Sequence, residues 1–368
     1  MRHGPARALV RQAAEALDSG DPVAPRLCAM AKRFATDTGY SVADRALQLH
    51  GGYGYLSEYG IEKIVRDLRV HQILEGTNEI IRAIHRDAAT GAAAAAEFWR
   101  DEYRLNARIA RLRTPYVAVM DGIVMGGGVG ISAHGTVRLV TERSRIAMPE
   151  TGIGFVPDVG GTYLLGLAPG ELGTHLALTG ALVGAADAQL CGLADHFVPS
   201  EALPVLLAEL AAAPVHDVLT RHVRPAPPGE LDADRDWIGH CYAADTVEGI
   251  VDRLLGHGAQ AAKDAATTLL SKSPTALKVT LASIRRSREL GPLERVLEQE
   301  YRVSCAALAH PDLVEGIRAQ VIDKDRAPHW RPATLAEVTD QDVDGFFAPC
   351  GEHGLHLAVS DSTQEVPW

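Results

Sequence analysis

The sequence has few cysteines, no long apolar run and a deficit of positive charge, and each shortage excludes a class of protein. The five cysteines are scattered, without a CxxC pair, which excludes a disulfide framework and a zinc site and indicates reduced thiols. No uninterrupted apolar run approaches the roughly 20 residues of a membrane span. The formal charge of −11 argues against a broad attraction to nucleic acid or to an anionic membrane.

A secretory leader is also missing from the N-terminus. The opening MRHGPARALVRQAAEALD is amphipathic and has neither an apolar segment nor a cleavage site. Its arginines resemble those of a transit peptide, but Glu15 and Asp18 argue against one. We therefore expect a cytoplasmic protein. Its 368 residues, of which 46% are hydrophobic and 23% charged, suit a globular chain of two domains.

The stretch from Thr114 to Gly161 holds the pattern that predicts chemistry. It opens TPYVAVMDGIVMGGGVG, in which Tyr116 to Met120 is a predicted buried strand and a second short apolar step follows. The triplet Gly126-Gly127-Gly128 then leads into a predicted helix. A glycine turn that enters a helix leaves amide groups free, and such donors suit a developing oxyanion. A tight packing turn is the alternative, and for a bare GGG it is the commoner one.

Two carboxylates flank the loop RIAMPETGIGFVPDVGG that follows. Glu150 comes just after a predicted strand, and Asp158 precedes Gly160-Gly161, where another helix is predicted to begin. Paired carboxylates in different surroundings can divide acid and base roles. Spacing alone slightly favours simpler interpretations, an N-cap for Asp158 and a solvated loop residue for Glu150.

From about Ala95 to about Pro349 the chain resembles the crotonase (enoyl-CoA hydratase/isomerase) superfamily, and within it the 3-hydroxyisobutyryl-CoA hydrolases of valine catabolism. The motifs that carry the resemblance are long and specific: EFWRDEYRLN, PYVAVMDGIVMGGGVGISAHG, AMPETGIGFVPDVGGTYLL, LALTG and LVEGIRAQVIDKDRAPHW. The fold that the resemblance implies is α/β, a crotonase-like spiral of ββα repeats.

The resemblance assigns roles to particular residues. It implies that Gly127 donates one oxyanion-hole amide to the thioester carbonyl and that Gly126, Gly128 and Gly130 line the substrate site. Glu150 and Asp158 align with the two active-site carboxylates of the hydrolases. Hydratases of the superfamily have a second glutamate where this chain has Gly130 and glycine where it has Asp158, and both differences favour the hydrolase.

One part of the crotonase pattern has no counterpart in residues 1–94. Members of the family have an opening strand and a GGD-type loop before EFWRDEYRLN, and that loop supplies the other oxyanion-hole amide. We therefore expect an incomplete spiral. The loss of opening strands exposes the edges of the remaining sheet, which favours aggregation or pairing with another chain.

The first 88 residues are predicted to be all-helical, and they resemble a different family, the C-terminal domain of acyl-CoA dehydrogenases. QLHGGYGY and RDLRVHQILEGTNEIIR carry this resemblance. Carried over by position, Glu75 would be the base that removes the α-proton, and the residues against flavin would be Gln48, Gly51, Gly52 and Thr77. The remainder of such an enzyme has no counterpart here, so we expect these positions to be vestigial and expect no FAD.

The two resemblances meet in the alanine-rich text ATGAAAAAEF, which marks a seam. The predicted organisation is a dehydrogenase fragment at 1–88, a junction at 89–97, a crotonase-like domain at 98–350 and an irregular tail at 351–368. A deletion, a fused reading frame and an assembly error would each give this arrangement.

Further elements are predicted along the crotonase-like part. Phe98 to Arg113 is a predicted helix with Tyr103, Leu105, Ile109 and Leu112 toward the core. His134 is interpreted as a core or supporting histidine, and Pro214 to Ala233 as a loop. Ser273-Pro274 is predicted to begin a strong helix. Asp323, Lys324 and Asp325 resemble a family signature, although a solvated charged turn is the default interpretation.

Four functions remain open from the sequence. The first is hydrolysis of a CoA thioester, without metal or redox cofactor, and a homo-oligomer is among the expected partners. The second is an enoyl-CoA hydratase or isomerase with Glu150 as its sole acid and base, against which Gly130 argues. The third is an inactive fusion product, and the fourth is an acyl-CoA dehydrogenase.

Overall fold

A computed structural model describes residues 93–350 and 354–358 of the chain, together with residues 11, 12, 14, 15, 19, 84, 87 and 88. The chain divides into two compact units, one formed by Met1–Ala89 with Glu315–Pro328 and the other by Thr90–Val314 with His329–Trp368. Every predicted site residue of the crotonase-like part lies in the second unit.

The strands of the second unit alternate between two small parallel sheets. β1 (Val117–Met120), β3 (Val137–Val140) and β5 (His196–Phe197) form the first sheet in the order β1-β3-β5, and β2 (Ile123–Met125) pairs with β4 (Arg145–Ala147) in the second. Each turn of the chain therefore lays one strand in each sheet, which is the ββα spiral that the resemblance implied.

Helices make up most of the rest of the described residues. Beginning at the N-terminal end, they are α1 (Ala93–Ala110), α2 (Gly127–Ser132), α3 (Gly161–Leu167), α4 (Leu172–Thr179), α5 (Ala185–Leu190), α6 (Leu203–Leu210), α7 (Val215–His222), α8 (Leu231–Tyr242), α9 (Val247–Gly256), α10 (Gln260–Leu270), α11 (Pro274–Leu290), α12 (Leu293–Ala309), α13 (Pro311–Ile317) and α14 (Asp340–Gly345). Short 3-10 turns lie at Glu150–Ile153, Ser200–Ala202 and Leu335–Glu337, and a π-helical turn at Arg318–Ile322. In the described part of the chain, no helix is long and apolar enough to cross a membrane.

The prediction of a loop from Pro214 to Ala233 was wrong, because this range contains α7 and the start of α8. Val218 and Leu219 of α7 are buried in one core cluster with Leu139 of β3. Burial of these two apolar side chains stabilises α7, and the proline-rich text at 225–228 is confined to the segment between α7 and α8.

The helix predicted from Phe98 begins earlier, at Ala93 inside the alanine run. The prediction of which of its side chains face the core was partly wrong. Tyr103 and Ile109 are buried as predicted, but Leu105 and Leu112 are 47% and 38% exposed. The buried stripe of α1 instead contains Trp99, Tyr103 and Asn106, spaced at helical intervals.

Two local predictions were confirmed. The Ser273 hydroxyl accepts a hydrogen bond from the Ala276 amide, so that it caps α11 with Pro274 at the first helical position. The charged turn in IDKDRAPHW is solvent-exposed, since the side chains of Asp323 and Asp325 are 53% and 45% exposed in their ion pairs with Arg318.

Candidate active site

The glycine triplet forms the turn between β2 and α2. Gly126 has φ +50° and ψ −122°, which a residue with a side chain rarely adopts. Its carbonyl accepts the amides of Val129 and Gly130, whereas among the described residues no acceptor pairs with the amide of Gly127. The first amides of a helix have no acceptor in the preceding turn, so the turn leaves this N–H available.

Glu150 is buried against that turn, so the interpretation as a solvated loop residue was wrong. Its side chain is 7% exposed, and a Cβ built on Gly126 would lie 3.2 Å from Glu150 Oε1. The loop turns inward because Gly154, at φ +70°, follows the 3-10 turn and packs directly on the backbone of Asp312. The Glu150 Oε2 atom is buried without a hydrogen-bond partner in the described structure. A buried acceptor without a partner is a place where water or substrate can bind.

Asp158 is likewise buried, at 7% exposure, and it does not cap α3. Tyr103 Oη donates a hydrogen bond of 2.8 Å to Asp158 Oδ2, and Ser304 Oγ lies 2.7 Å from the same hydroxyl. The capping function that spacing had assigned to Asp158 belongs instead to Glu300 of α12. Its carboxylate accepts from the amides of Gly160 and Thr162, at 2.6 and 2.9 Å.

The segment that carries Asp158 is held in a strained conformation. Val159 has φ +53°, which is unfavourable for a β-branched residue. Its carbonyl is 2.7 Å from Nε2 of His134, whose pKa is lowered because the ring is buried. The neutral ring can donate Nε2–H to this carbonyl. His134 therefore supports the loop, in agreement with its interpretation as a supporting residue.

The charge of Asp158 acts on the Glu150 carboxyl. Burial raises the pKa of Glu150 well above its usual value, and the charge of Asp158 raises it further. Burial raises the pKa of Asp158 to about 7, although the hydrogen bond from Tyr103 opposes the shift by stabilising the carboxylate. The ammonium group of Lys272 favours ionisation of Glu150, while burial lowers the pKa of Lys272 itself.

Gly130 is enclosed. A Cβ built there would lie 2.6 Å from Cβ of Val159 and 2.9 Å from Nδ2 of Asn106. Contacts under 3.0 Å require the neighbours to move, so this position has no room for a second glutamate. Gly128 is less confined, since its added Cβ would lie 3.6 Å from Cγ1 of Val124.

Of the face of α1 that meets the site, sequence reasoning found Tyr103 and missed the other residues. Trp99, Glu102, Tyr103 and Asn106 share that face, where Trp99 stacks on Phe155 with ring centroids 5.4 Å apart. A Cβ on Gly127 would lie 2.9 Å from Glu102 Oε1, and both polar atoms of Asn106 are buried without hydrogen-bond partners in the described structure. Polar residues at buried helical positions within EFWRDEYRLN were the available signal.

The positions predicted from the dehydrogenase resemblance, namely Glu75, Gln48, Gly51, Gly52 and Thr77, lie outside the described residues. Among the residues that the structure describes, no cluster of three or more His, Cys, Asp or Glu side chains could hold a metal ion.

Comparisons with known proteins agree with this geometry. The sequence profile described as enoyl-CoA hydratase/isomerase matches residues 80–347, and the profile for the acyl-CoA dehydrogenase C-terminal domain matches residues 4–90. A mitochondrial 3-hydroxyisobutyryl-CoA hydrolase of Rattus norvegicus is 41% identical over 75% of this chain and 74% of its own length.

Two crystal structures are similar to the chain. A carnitinyl-CoA dehydratase from Mycobacterium thermoresistibile is 53% identical with a TM-score of 0.72, over 74% of this chain and 79% of that one. An enoyl-CoA hydratase from Rhodobacter sphaeroides 2.4.1 is 41% identical with a TM-score of 0.69, over 74% and 80% of the two chains. The names of these relatives span two reactions on acyl-CoA, hydration and thioester hydrolysis.

Proposed function

The chain belongs to the enoyl-CoA hydratase/isomerase family, and from this premise we propose that it hydrolyses a short-chain β-hydroxyacyl-CoA thioester, 3-hydroxyisobutyryl-CoA, to 3-hydroxyisobutyrate and CoA. The observation that carries the proposal is the enclosure of Gly130 by Val159 and Asn106 beside the buried pair Glu150 and Asp158. Hydration by two glutamates needs a carboxylate where this chain has no space for one. The hydrolase relatives support the choice of substrate, and the reaction belongs to valine catabolism.

In the proposed reaction, the amide of Gly127 donates to the thioester oxygen as negative charge develops there. Gly126 and Gly128 let the substrate approach the backbone, and Gly130 lets the Asp158 loop pack close to α2. Glu150, once ionised, either takes a proton from the attacking water or attacks the carbonyl carbon itself. In the second case the thiolate leaves a mixed anhydride on Glu150, which water then hydrolyses. Its burial makes it a stronger base than an exposed glutamate, because the charged form is poorly solvated.

Asp158 has the second role in the proposal. Held by Tyr103 as the carboxylate, it can accept a hydrogen bond from the β-hydroxyl of the substrate, or relay to the departing thiolate the proton that Glu150 takes from the water. The C–S bond breaks as the carbonyl reforms, and CoA leaves as a thiol. The proposal requires no metal and no redox cofactor, and CoA enters only as part of the substrate.

A thiol-release assay with 3-hydroxyisobutyryl-CoA tests the assignment. Replacing Glu150 with Gln keeps the volume but removes the base, so we expect loss of most of the activity, by about 100-fold or more. The matched control is Glu289→Gln, an exposed position on α11, which should turn over at the wild-type rate. Equal rates for wild type and Glu150→Gln would refute the role of Glu150.

The second candidate is a hydratase, which the names of the two similar crystal structures favour. In it, Glu150 alone would add and remove protons at the double bond. Hydration of crotonyl-CoA without release of thiol would establish this reaction instead. The remaining alternatives are separable too: an inactive fusion product turns over neither substrate, and a dehydrogenase requires flavin, visible in the absorbance of the purified protein.

Location and assembly complete the proposal. We place the enzyme in the cytoplasm because its cysteines are scattered, although the rat relative is named as mitochondrial. A homo-oligomer is also proposed. Cell fractionation tests the location, and light scattering of the purified protein tests the oligomeric state.

A further inference from the structure

A third carboxyl group, that of Glu102, lies against Gly127, the residue whose amide the glycine turn leaves free. A Cβ built on Gly127 would be 2.9 Å from Glu102 Oε1, and one built on Gly126 would be 3.2 Å from Glu150 Oε1. The two carboxyls therefore flank the peptide unit that carries the Gly127 N–H.

The environment of Glu102 favours its protonated form. Burial raises its pKa to about 8, and the negative charge of Asp158 contributes to the shift. Asp158 receives the hydrogen bond from Tyr103, which stabilises its carboxylate, so Asp158 retains the charge and Glu102 the proton. At neutral pH Glu102 is therefore an O–H donor. Glu150 Oε2 is also buried and has no hydrogen-bond partner in the described structure.

We propose that Glu102 is a catalytic residue whose protonated carboxyl donates a second hydrogen bond, beside that of the Gly127 amide, to the thioester oxygen. The inference rests on the proposed function. As the nucleophile bonds to the carbonyl carbon, the π electron pair moves to oxygen and the Glu102 O–H stabilises that charge. When the carbonyl reforms and the C–S bond breaks, the hydrogen bond weakens and Glu102 retains its proton.

An ionised Glu102 would act in the opposite direction. A carboxylate at this position would repel the negative charge that develops on the thioester oxygen and would offer no donor. The protonated form, and with it the contribution to rate, is present at low pH and is lost as the pH rises through about 8. Hydrolysis should therefore decline on the alkaline side, and a neutral side chain that keeps a donor should remove that decline.

Two substitutions separate these properties. Glu102→Gln keeps a donor at every pH, whereas Glu102→Ala has none. We expect Glu102→Ala to lower kcat for 3-hydroxyisobutyryl-CoA by about 100- to 1,000-fold, the usual loss for one oxyanion-hole donor, with a smaller change in KM. Glu102→Gln should retain most of the activity and show no alkaline decline. Asp101→Asn, on the exposed side of the same helix, is the control and should behave as wild type.

A second measurement does not depend on turnover. In a Glu150→Gln background, the infrared stretch of a ¹³C-labelled thioester carbonyl reports its polarisation on binding. We expect a shift to lower frequency that persists with Glu102→Gln added and is reduced with Glu102→Ala added. Equal losses of kcat in both Glu102 variants, or no loss in either, would overturn the proposal. A wild-type enzyme that releases no thiol would refute the proposed function alone, since the carbonyl shift would still decide the role of Glu102.

Discussion

At the residue scale, the chemistry of the site depends on which of its buried carboxyl groups bind a proton. Each ionised group makes the next harder to ionise, and burial adds to the cost. Tyr103 favours the charged form of Asp158, because its hydroxyl donates a hydrogen bond to that carboxylate. No described donor reaches Glu150 Oε2. Two carboxyls of similar chemistry thereby acquire different affinities for a proton, which a division of acid and base roles requires.

The coupling between the two carboxyls predicts a shift in the pH dependence of hydrolysis. The pKa of Glu150 is raised first by burial and then by the charge of Asp158. Since the proposed base must be ionised, the rate should rise with pH through this raised value. Asp158→Asn removes the charge, so the rising limb should move to lower pH even though kcat falls. A pH profile of kcat/KM measures the midpoint.

The control for that profile is Asp264→Asn, an exposed change on α10 that removes one negative charge from the surface. It should leave the midpoint in place, because surface charges are screened within about 10 Å. An unchanged midpoint in Asp158→Asn would show that the charge at 158 does not act on the base.

At the element scale, α1 and the Asp158 loop depend on close approach to α2 at Gly130. A methyl group at this position would overlap Val159 and Asn106, at 2.6 and 2.9 Å. Gly130→Ala should therefore destabilise the protein by about 1–3 kcal/mol, the usual cost of overpacking, and lower activity by displacing Asp158. Urea unfolding measures the first effect and the thiol assay the second.

Gly239 is the matched control, in the interior of α8 with nothing within 4 Å of an added Cβ. Gly239→Ala should stabilise the protein by about 0.5–1 kcal/mol through helix propensity alone. If both substitutions shifted stability in the same direction, crowding around the added methyl group would not explain the effect of Gly130→Ala.

The elements also show what the sequence can predict. The strand at Tyr116–Met120, the glycine turn and the cap of α11 by Ser273 follow local rules, and each was found. The burial of Glu150 and the capping of α3 by Glu300 depend on residues far apart in the chain. Local spacing could not reveal these contacts, and it assigned Glu150 to solvent and Asp158 to a cap for that reason.

The face of α1 shows a second limit. The apolar periodicity predicted Leu105 and Leu112 in the core beside Tyr103. The structure confirms Tyr103 but places Trp99 and Asn106 there instead of the two leucines. A rule that counts apolar residues fails where buried polar groups serve the site, because it assigns them to the solvent side. Functional helices are therefore the elements in which such rules fail most readily.

At the scale of the whole molecule, the buried carboxyls link stability to pH. Burial raises the pKa of Glu102 and of Glu300 to about 8 and that of Asp158 to about 7. Between their ordinary values and these raised ones, the folded state binds protons that the unfolded state has released. Stability contributed in this way is complete below the unfolded-state pKa and is lost as the pH rises through the folded-state pKa.

We therefore expect the free energy of unfolding to fall between about pH 5 and pH 8, by on the order of 1 kcal/mol per pH unit for each such proton. Glu300→Gln tests this outside the reacting groups, since Glu300 holds Gly160 and Thr162 rather than substrate. The variant is expected to be less stable at pH 5, because one acceptor is replaced by a donor, but its stability should depend less steeply on pH. Urea unfolding at several pH values gives the two slopes. Identical slopes would mean that Glu300 is already ionised in the folded protein, because a group with an unshifted pKa releases its proton equally in both states.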